Sequence, residues 1–320
     1  MSDVRMTKLS LIIVSWKVKE LLKNCLISVF HSPGQYSLEV IVVDNNSEDG
    51  TVEMIEKEFP QIRLIENREN VGFGRACNQG IRIARAKYIF ILNPDTLVGA
   101  NTLQNIIDFM ESNPQVSIGG CYLYYPDGKQ QNSFYRFPTL CSYISKMFSL
   151  FRILPRIQLT QRFFWEYLDN SITGHVDVVS GGAMVLRKEK VEEIGLFDET
   201  YFMYAEEIDL CYRSSQKGWE VSTIPNTKII HYHQQSSLQN IKVTTFHNMR
   251  SDFLFFRKFH PSYKVILIRI IQFLGILFRL STWVAIYLLK PCKRAVAKKK
   301  AKGYFELLLS NFDYSKSLLR

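Results

Sequence analysis

The chain has 320 residues, 47% hydrophobic and 22% charged, with 40 Lys/Arg against 30 Asp/Glu and a formal net charge of +10. That composition excludes a largely disordered chain and leaves room for one large domain or two ordinary ones with buried cores. The charge is uneven: residues 257–320 hold 14 Lys/Arg and two acids, Glu306 and Asp313, a net +12 that leaves −2 for residues 1–256. This excludes a surface basic throughout and favours an acidic partner at the C-terminal end.

In chain order, Leu9–Ser15 is an apolar run of strand length, too short for the core of a signal peptide with its cleavage site. A helical pattern follows over 18–30 and stops at His31-Ser-Pro-Gly34. The β-branched run 39–43 ends at Asp44-Asn-Asn. Then come a helix over 51–59, a strand over 62–66, a helix over 74–86 and a strand over 88–92. Strands alternating with helices in this way predict a mainly parallel sheet with helices on both faces. Ligands of such sheets sit at the carboxyl ends of the strands, so Ser15-Trp16, Asp44-Asn45-Asn46 and Asn93-Pro94-Asp95 are expected to face one crevice.

Further along, 102–112 reads as a helix and 122–128 as a strand and turn. Residues 134–168 are rich in aromatic groups, a surface for a bound partner or a helical cap over the core. A strand over 176–186 is broken by Gly181-Gly182, where the backbone can approach a neighbour closely. Residues 207–217 form a helix opened by acids and stopped by Gly218, and 228–232 form a late strand. The six cysteines include no C-x-x-C pair, which argues for reduced thiols in a cytosolic setting over a disulfide framework or zinc site.

Three features carry chemistry jointly more than singly. Asp95 sits at the lip of the crevice, although an Asp after a strand also suits a turn. Glu206, Glu207 and Asp209 open a helix, where acids also complement the macrodipole. His231 and His233 share one face of a strand. One Asp with one or two His can hold a divalent ion, and Glu207 can act as general base. Phosphate oxygens of a sugar nucleotide would complete the metal shell. The Gly72-Phe-Gly74-Arg75 turn opens a helix and can face phosphate, or be a plain tight turn.

The segments Ile12–Trp16, Val42–Thr51, Asn70–Asn78, Leu92–Thr96, Val179–Arg187, Gly195–Asp198, Tyr204–Arg213, Gly218-Trp219 and Ile230-His231 occur in one order from about residue 9 to 237. In them the chain resembles family 2 glycosyltransferases with a GT-A fold, in the branch that includes bacterial rhamnosyltransferases. The resemblance implies that Asp44 bonds the pyrimidine of the nucleotide, with Ser15 and Trp16 lining that pocket and Arg75 near the ribose or phosphates. Asp95 would be the last residue of a metal-binding D-x-D-like motif whose first position is Asn93, on the nucleotide side. His231 would complete a Mg²⁺ or Mn²⁺ site. Glu207 would be the catalytic base, where many relatives have Asp. Gly181, Gly182, Glu206, Asp209 and His233 would line the acceptor or support the site.

The family reading implies an inverting, metal-dependent transfer, of rhamnose from dTDP-rhamnose by preference, to a polyprenyl-diphosphate-linked or polysaccharide acceptor in bacterial surface-glycan synthesis such as O-antigen. A UDP-hexose or UDP-N-acetylhexosamine donor is the alternative within the fold. Outside it stand a sugar nucleotidyltransferase, disfavoured because Trp16–Lys19 has no glycine, and a non-catalytic membrane scaffold.

The expected organisation is a GT-A domain over 1–256, with a nucleotide-binding half to about 100 and an acceptor half after it, and a membrane-associated tail over 257–320. In the apolar stretch 265–289, Lys264, Arg269, Gln272, Gly275, Arg279 and Thr282 fall within an arc of about 140°. Two arginines near the centre of a span would be costly, so an in-plane amphipathic helix is expected over a transmembrane one. Seven Lys/Arg from Lys290 to Lys302 follow. Residues 264–302 are therefore expected to bind an anionic membrane surface peripherally, at the cytoplasmic face of the inner membrane. No nucleic-acid partner is expected, because basic and aromatic residues are segregated in the tail.

Overall fold

The computed structural model describes residues 8–32, 34, 36–150, 168, 172–232 and 241–309. Apolar runs bounded by turn residues become the strands of the central sheet. β1 (Leu9–Ser15) is buried along its whole length and lies between β2 (Leu38–Asp44) and β4 (Tyr88–Leu92), both parallel to it. β3 (Arg63–Glu66) extends the sheet beside β2. On the other side β10 (Ala183–Arg187) runs antiparallel to both β4 and β6 (Val116–Gly120), and β11 (Glu220–Thr223) lies parallel to β6. The order is β11-β6-β10-β4-β1-β2-β3, a mixed and mainly parallel seven-stranded sheet.

Side chains alternate along β1, so each face of the sheet has its own core. Leu9, Leu11 and Ile13 join Leu22, Leu26 and Phe90 on one side, while Ile12 and Val14 join Ala76, Ile81 and Ile91 on the other. The first side is covered by α1 (Lys19–Phe30), α2 (Thr51–Glu58) and α4 (Thr102–Ser112). The second takes α3 (Phe73–Ile83), α6 (Lys188–Ile194) and α7 (Glu206–Gln216). Two small sheets complete this part of the chain. β5 (Thr96–Val98), β12 (Ile229–His231) and β7 (Leu123–Tyr124) form one, and β8 (Phe134–Tyr135) with β9 (Val178–Val179) forms the other.

By contacts the chain divides into two compact units. The first comprises 1–137, 167–202 and 206–236 and holds all three sheets. The second comprises 138–166, 203–205 and 237–320. In the second unit α5 (Leu140–Phe148) opens on a capping box between Thr139 and Ser142. It is joined by α8 (Ile241–Phe259), α9 (Ser262–Leu289) and α10 (Arg294–Leu309). Pro261 precedes α9 and Pro291 follows it, so proline punctuates both ends. The expected boundary at 256–257 falls within α8. Of the aromatic stretch 134–168, residues 151–167 lie outside the described residues; Phe134 is buried in the first unit and Tyr143 in the second.

The polar stripe of α9 faces its own unit. Gln272 is fully buried and donates to the Tyr143 hydroxyl (3.0 Å) and the Met249 carbonyl (2.8 Å). Arg279 donates to the carbonyls of Met147 (3.0 Å) and Lys146 (2.8 Å), at the C-terminal end of α5. Gly275 packs so closely that a Cβ there would meet Met147 Cε at 2.5 Å. The stripe is thus used for packing, and the apolar face is the one turned outward.

Candidate active site

Parallel pairing of β1, β2 and β4 brings their carboxyl ends to one edge of the sheet, with Ser15 directly opposite Asp44. Both side chains are buried there. Asp44 Oδ2 accepts the Ser47 N–H at 3.0 Å, while Asp44 Oδ1 and Ser15 Oγ have no partner among the described residues. A buried polar atom without a partner costs about 1–3 kcal/mol, and two adjacent ones suit a ligand with its own donor and acceptor. Trp16 is half-buried beside them, and the Lys17 N–H is tied to Ser47 Oγ at 3.1 Å.

The loop entering α3 is held by amides. Asn67 exchanges hydrogen bonds with Gln79 (2.9 and 2.8 Å) and donates to Asn45 Oδ1 at 2.9 Å. Asn70 Oδ1 accepts the Gly72 N–H at 3.0 Å. Gly72 has φ 88°, and a Cβ on it would meet the Phe202 carbonyl oxygen at 2.4 Å, so only glycine fits. Arg75, on the first turn of α3, is exposed, with its Nε 3.6 Å from Glu199 Oε2.

A second group gathers around β12. Antiparallel pairing sets His231 opposite Thr96, and His231 Nε2 lies 3.2 Å from Asp95 Oδ1 and 3.5 Å from Asn93 Nδ2. Gln131 grips the same histidine twice: its Nε2 donates to the His231 carbonyl (2.6 Å), leaving its Oε1 2.9 Å from His231 Nδ1. Because the first contact fixes which end of the amide is oxygen, Nδ1 donates to Gln131 Oε1 and Nε2 is the ring nitrogen turned toward Asp95. A lone pair and a carboxylate oxygen at 3.2 Å repel unless a proton or a cation lies between them. Asp95 and His231 therefore suit a shared divalent cation, with Asn93 beside them. Among the described residues no three His, Cys, Asp or Glu cluster as a complete metal cage, so other ligands must come from elsewhere. His233 lies outside the described residues.

The third group surrounds α7. Glu207 is half-buried on its first turn, close to Gly181: a Cβ on that glycine would sit 3.7 Å from Glu207 Cβ. A Cβ on Gly182 would sit 3.4 Å from Asn93 Nδ2, and the Gly182 carbonyl accepts the Asn93 N–H at 3.0 Å. The glycine pair thus passes between the base candidate and the Asn93-Asp95-His231 group. Glu206 is buried with Oε2 unpartnered among the described residues, and burial first, then the Glu207 charge, pushes its carboxyl well above the usual carboxylate range. Asp209 is tied to Arg213 Nε at 2.6 Å, and Arg213 spans the carbonyls of Ile194, Gly195 and Leu196. Asp209 thereby anchors α7 to the end of α6. Tyr204 (φ 71°) and Ala205 (φ 64°), just before α7, are both left-handed, a costly backbone for residues other than glycine.

Sequence reasoning missed Gln131. No motif or period marks it, and its partner is 100 residues away.

A family model described as glycosyl transferase family 2 matches residues 10–195. An N-acetylglucosaminyl-diphospho-decaprenol L-rhamnosyltransferase of Mycobacterium tuberculosis is 27% identical over 212 residues, 62% of this chain and 68% of that protein. Rhamnosyltransferase WbbL of Escherichia coli is 27% identical over 233 residues, 69% of this chain and 82% of that protein. Among solved structures, a mannosyltransferase from Pyrobaculum calidifontis in complex with GDP-Man and Mn²⁺ superposes with a TM-score of 0.55 at 18% identity, covering 97% of this chain and 83% of the other. GalNAc-T7 with UDP, GalNAc and Mn²⁺ gives 0.57 at 16%, covering 98% and 59%. These likenesses fix the fold as GT-A.

Proposed function

The chain belongs to glycosyl transferase family 2, and on that premise we propose a metal-assisted, inverting transfer from a nucleoside-diphosphate sugar to a lipid-diphosphate-linked glycan of the bacterial surface. The preferred donor is dTDP-rhamnose, and the reading places the enzyme at the cytoplasmic face of the inner membrane. The observation that carries it is the Gly181-Gly182 turn, which has Glu207 packed against one glycine and Asn93 against the next. A base thus stands beside the Asn93-Asp95-His231 group. Support for donor and acceptor comes from the rhamnosyltransferase relatives, one of which is named for a diphospho-decaprenol acceptor.

On this reading the pyrimidine enters between Ser15 and Asp44, where its N–H and carbonyl meet the two unpartnered oxygens. Asp95 Oδ1 and His231 Nε2 would hold Mg²⁺ or Mn²⁺, whose charge supplies neutralisation of the departing diphosphate. Gln131 keeps the His231 Nε2 lone pair directed outward. Glu207 takes the proton from an acceptor hydroxyl as that oxygen bonds the anomeric carbon. The bond to the diphosphate oxygen breaks on the opposite face, and one displacement inverts the centre.

The test is a donor panel (dTDP-rhamnose, UDP-hexoses, UDP-N-acetylhexosamines) with a polyprenyl-diphosphate acceptor and Mg²⁺ or Mn²⁺, scored by nucleoside diphosphate release. Glu207→Gln is expected to lose about 10²–10⁴-fold in turnover with donor affinity kept. Near-normal turnover of folded Glu207→Gln would remove Glu207 from the role of base. Release from no donor would favour a non-catalytic scaffold.

A further inference from the structure

Helix α9 is built inside out relative to a helix of a water-soluble core. Its buried positions are Ile268, Gln272, Gly275 and Ile276, so its most polar stripe is the one packed against its own unit. Arg269, on the edge of that stripe, lies with its guanidinium 4.7 Å from the Phe253 ring centroid. The opposite face carries Tyr263, Ile266, Ile270, Phe273, Leu274 and Leu277, of which Ile266 is 60% exposed and Phe273 and Leu274 each 48%. At 100° per residue these six lie within about 100° of arc, and no charged residue of the helix falls among them. In water such a surface is unfavourable in proportion to the apolar area left exposed.

The neighbouring helix indicates what covers it. Arg294 Nε donates to the Tyr287 carbonyl at 3.2 Å, and Lys300 Nζ lies 4.2 Å from the Trp283 ring centroid. Moving forward along α10 therefore moves backward along α9, and the two form an antiparallel hairpin about the Pro291–Lys293 turn. Lys298, Lys299 and Lys302 are exposed along that return helix. A covering partner must accept a long uncharged strip and, beside it, a row of ammonium groups. An anionic lipid leaflet has that chemistry: acyl chains below phosphate headgroups.

We propose that α9 lies in the plane of an anionic bilayer with the Ile266, Ile270, Phe273, Leu274 and Leu277 face immersed. Its polar stripe stays docked on α5 and α8, and α10 rides at headgroup level. The helix is long and apolar enough to cross a membrane, but spanning would carry the lysines of α10 into hydrocarbon alongside it, where their charges lose their hydration. This deepens the membrane element of the function proposed above and is independent of the transfer chemistry.

The experiment is flotation of the full chain with vesicles of phosphatidylglycerol and phosphatidylcholine in equal parts, against phosphatidylcholine alone. Binding is expected to the anionic vesicles, to fall at least about tenfold for Ile270→Glu/Leu274→Glu and on the order of 100-fold for Lys298→Gln/Lys299→Gln/Lys302→Gln. Depth is read with an environment-sensitive dye on cysteines placed at 266, 274 or 288 in a Cys141→Ser/Cys292→Ser background. Equal quenching depth at all three supports the in-plane helix, whereas a deep centre between shallow ends would overturn it in favour of a span. Flotation indifferent to both multiple variants overturns the surface. So does a dimer that Ile270→Glu/Leu274→Glu dissociates without any vesicle binding. Donor binding by calorimetry on the same variants keeps the two readings apart, because its loss in the parent chain would undo the transferase reading and leave flotation untouched.

Discussion

Gln131 makes one bond to each side of the peptide-and-ring unit of His231, and that bidentate grip fixes the ring's orientation without any charge. Partners of this kind change metal affinity about 10–100-fold. Gln131→Leu keeps the volume and removes the acceptor for Nδ1. Its Mn²⁺ affinity in the presence of nucleoside diphosphate, read by paramagnetic resonance titration, is expected to fall by that amount, and Gln131→Glu to restore most of it. An unchanged affinity with only a lower Tm would reduce Gln131 to a packing residue. Glu206 gives a separate prediction. Its folded pKa lies well above the ordinary value of 4.5, because of burial and then of Glu207. The folded protein therefore holds a proton that the unfolded chain releases, and stability is lost as pH rises from about 4.5 toward the raised pKa. Glu206→Gln removes that loss, so the gap in Tm should shift in favour of the variant as pH rises above about 4.5. Parallel Tm curves would mean that Glu206 is ionised in the fold. At this scale Asp95, Glu207 and His231 stood out because each falls at a strand or helix end beside a recognisable run. Gln131 did not, since a neutral amide in a loop has no period and no charge to betray its distant partner.

Elements whose sequences satisfy one strong rule were legible. The runs behind β1, β2 and β4 are continuous, apolar and β-branched, as strands buried on both faces require. β6 is not among them, because Val116-Ser-Ile-Gly-Gly120 holds only two β-branched residues and ends in glycines. Those glycines are packing devices: a Cβ on Gly120 would meet Val179 Cγ1 at 2.5 Å, and one on Gly119 would meet Ile224 Cδ1 at 2.6 Å. β8 has two residues, too few to show any period, whereas β7 and β9 fall inside the strands expected over 122–128 and 176–186. The antiparallel insertion of β10 between β4 and β6 could not be read either, since strand order depends on contacts remote in the chain. Gly72 offers the cleanest test at the level of an element. It is the N-cap of α3 with φ 88°, and its Cα faces the Phe202 carbonyl that accepts the Phe73 N–H at 2.9 Å. Gly72→Ala has to strain the backbone and displace that carbonyl together, at about 1–3 kcal/mol. Urea unfolding should show this as a lower midpoint with an unchanged slope. A midpoint within experimental error of the parent's would mean that the loop rearranges freely.

For the whole molecule, the net charge of +10 conceals residues 1–256 at −2 and residues 257–320 at +12. Packing settles which face of α9 the protein covers, because Gln272 and Arg279 find hydrogen-bond partners within their own unit while large side chains of the apolar face stay exposed. A periodic pattern identifies two faces of a helix and leaves open which of them the rest of the chain will take. The partition of charge then separates two salt dependences. Exposed lysines acting on headgroups are screened as the Debye length contracts from about 10 Å at 0.1 M salt to about 3 Å at 1 M. On the proposed reading, nucleotide binding between buried Ser15 and Asp44 would rest on short hydrogen bonds that screening reaches weakly. Raising potassium chloride through that range should therefore depress turnover on a vesicle-borne acceptor steeply. The donor dissociation constant, measured without vesicles, should change by less than about threefold. A donor affinity that falls in step with vesicle turnover would place the decisive cations at the nucleotide site and not in the tail.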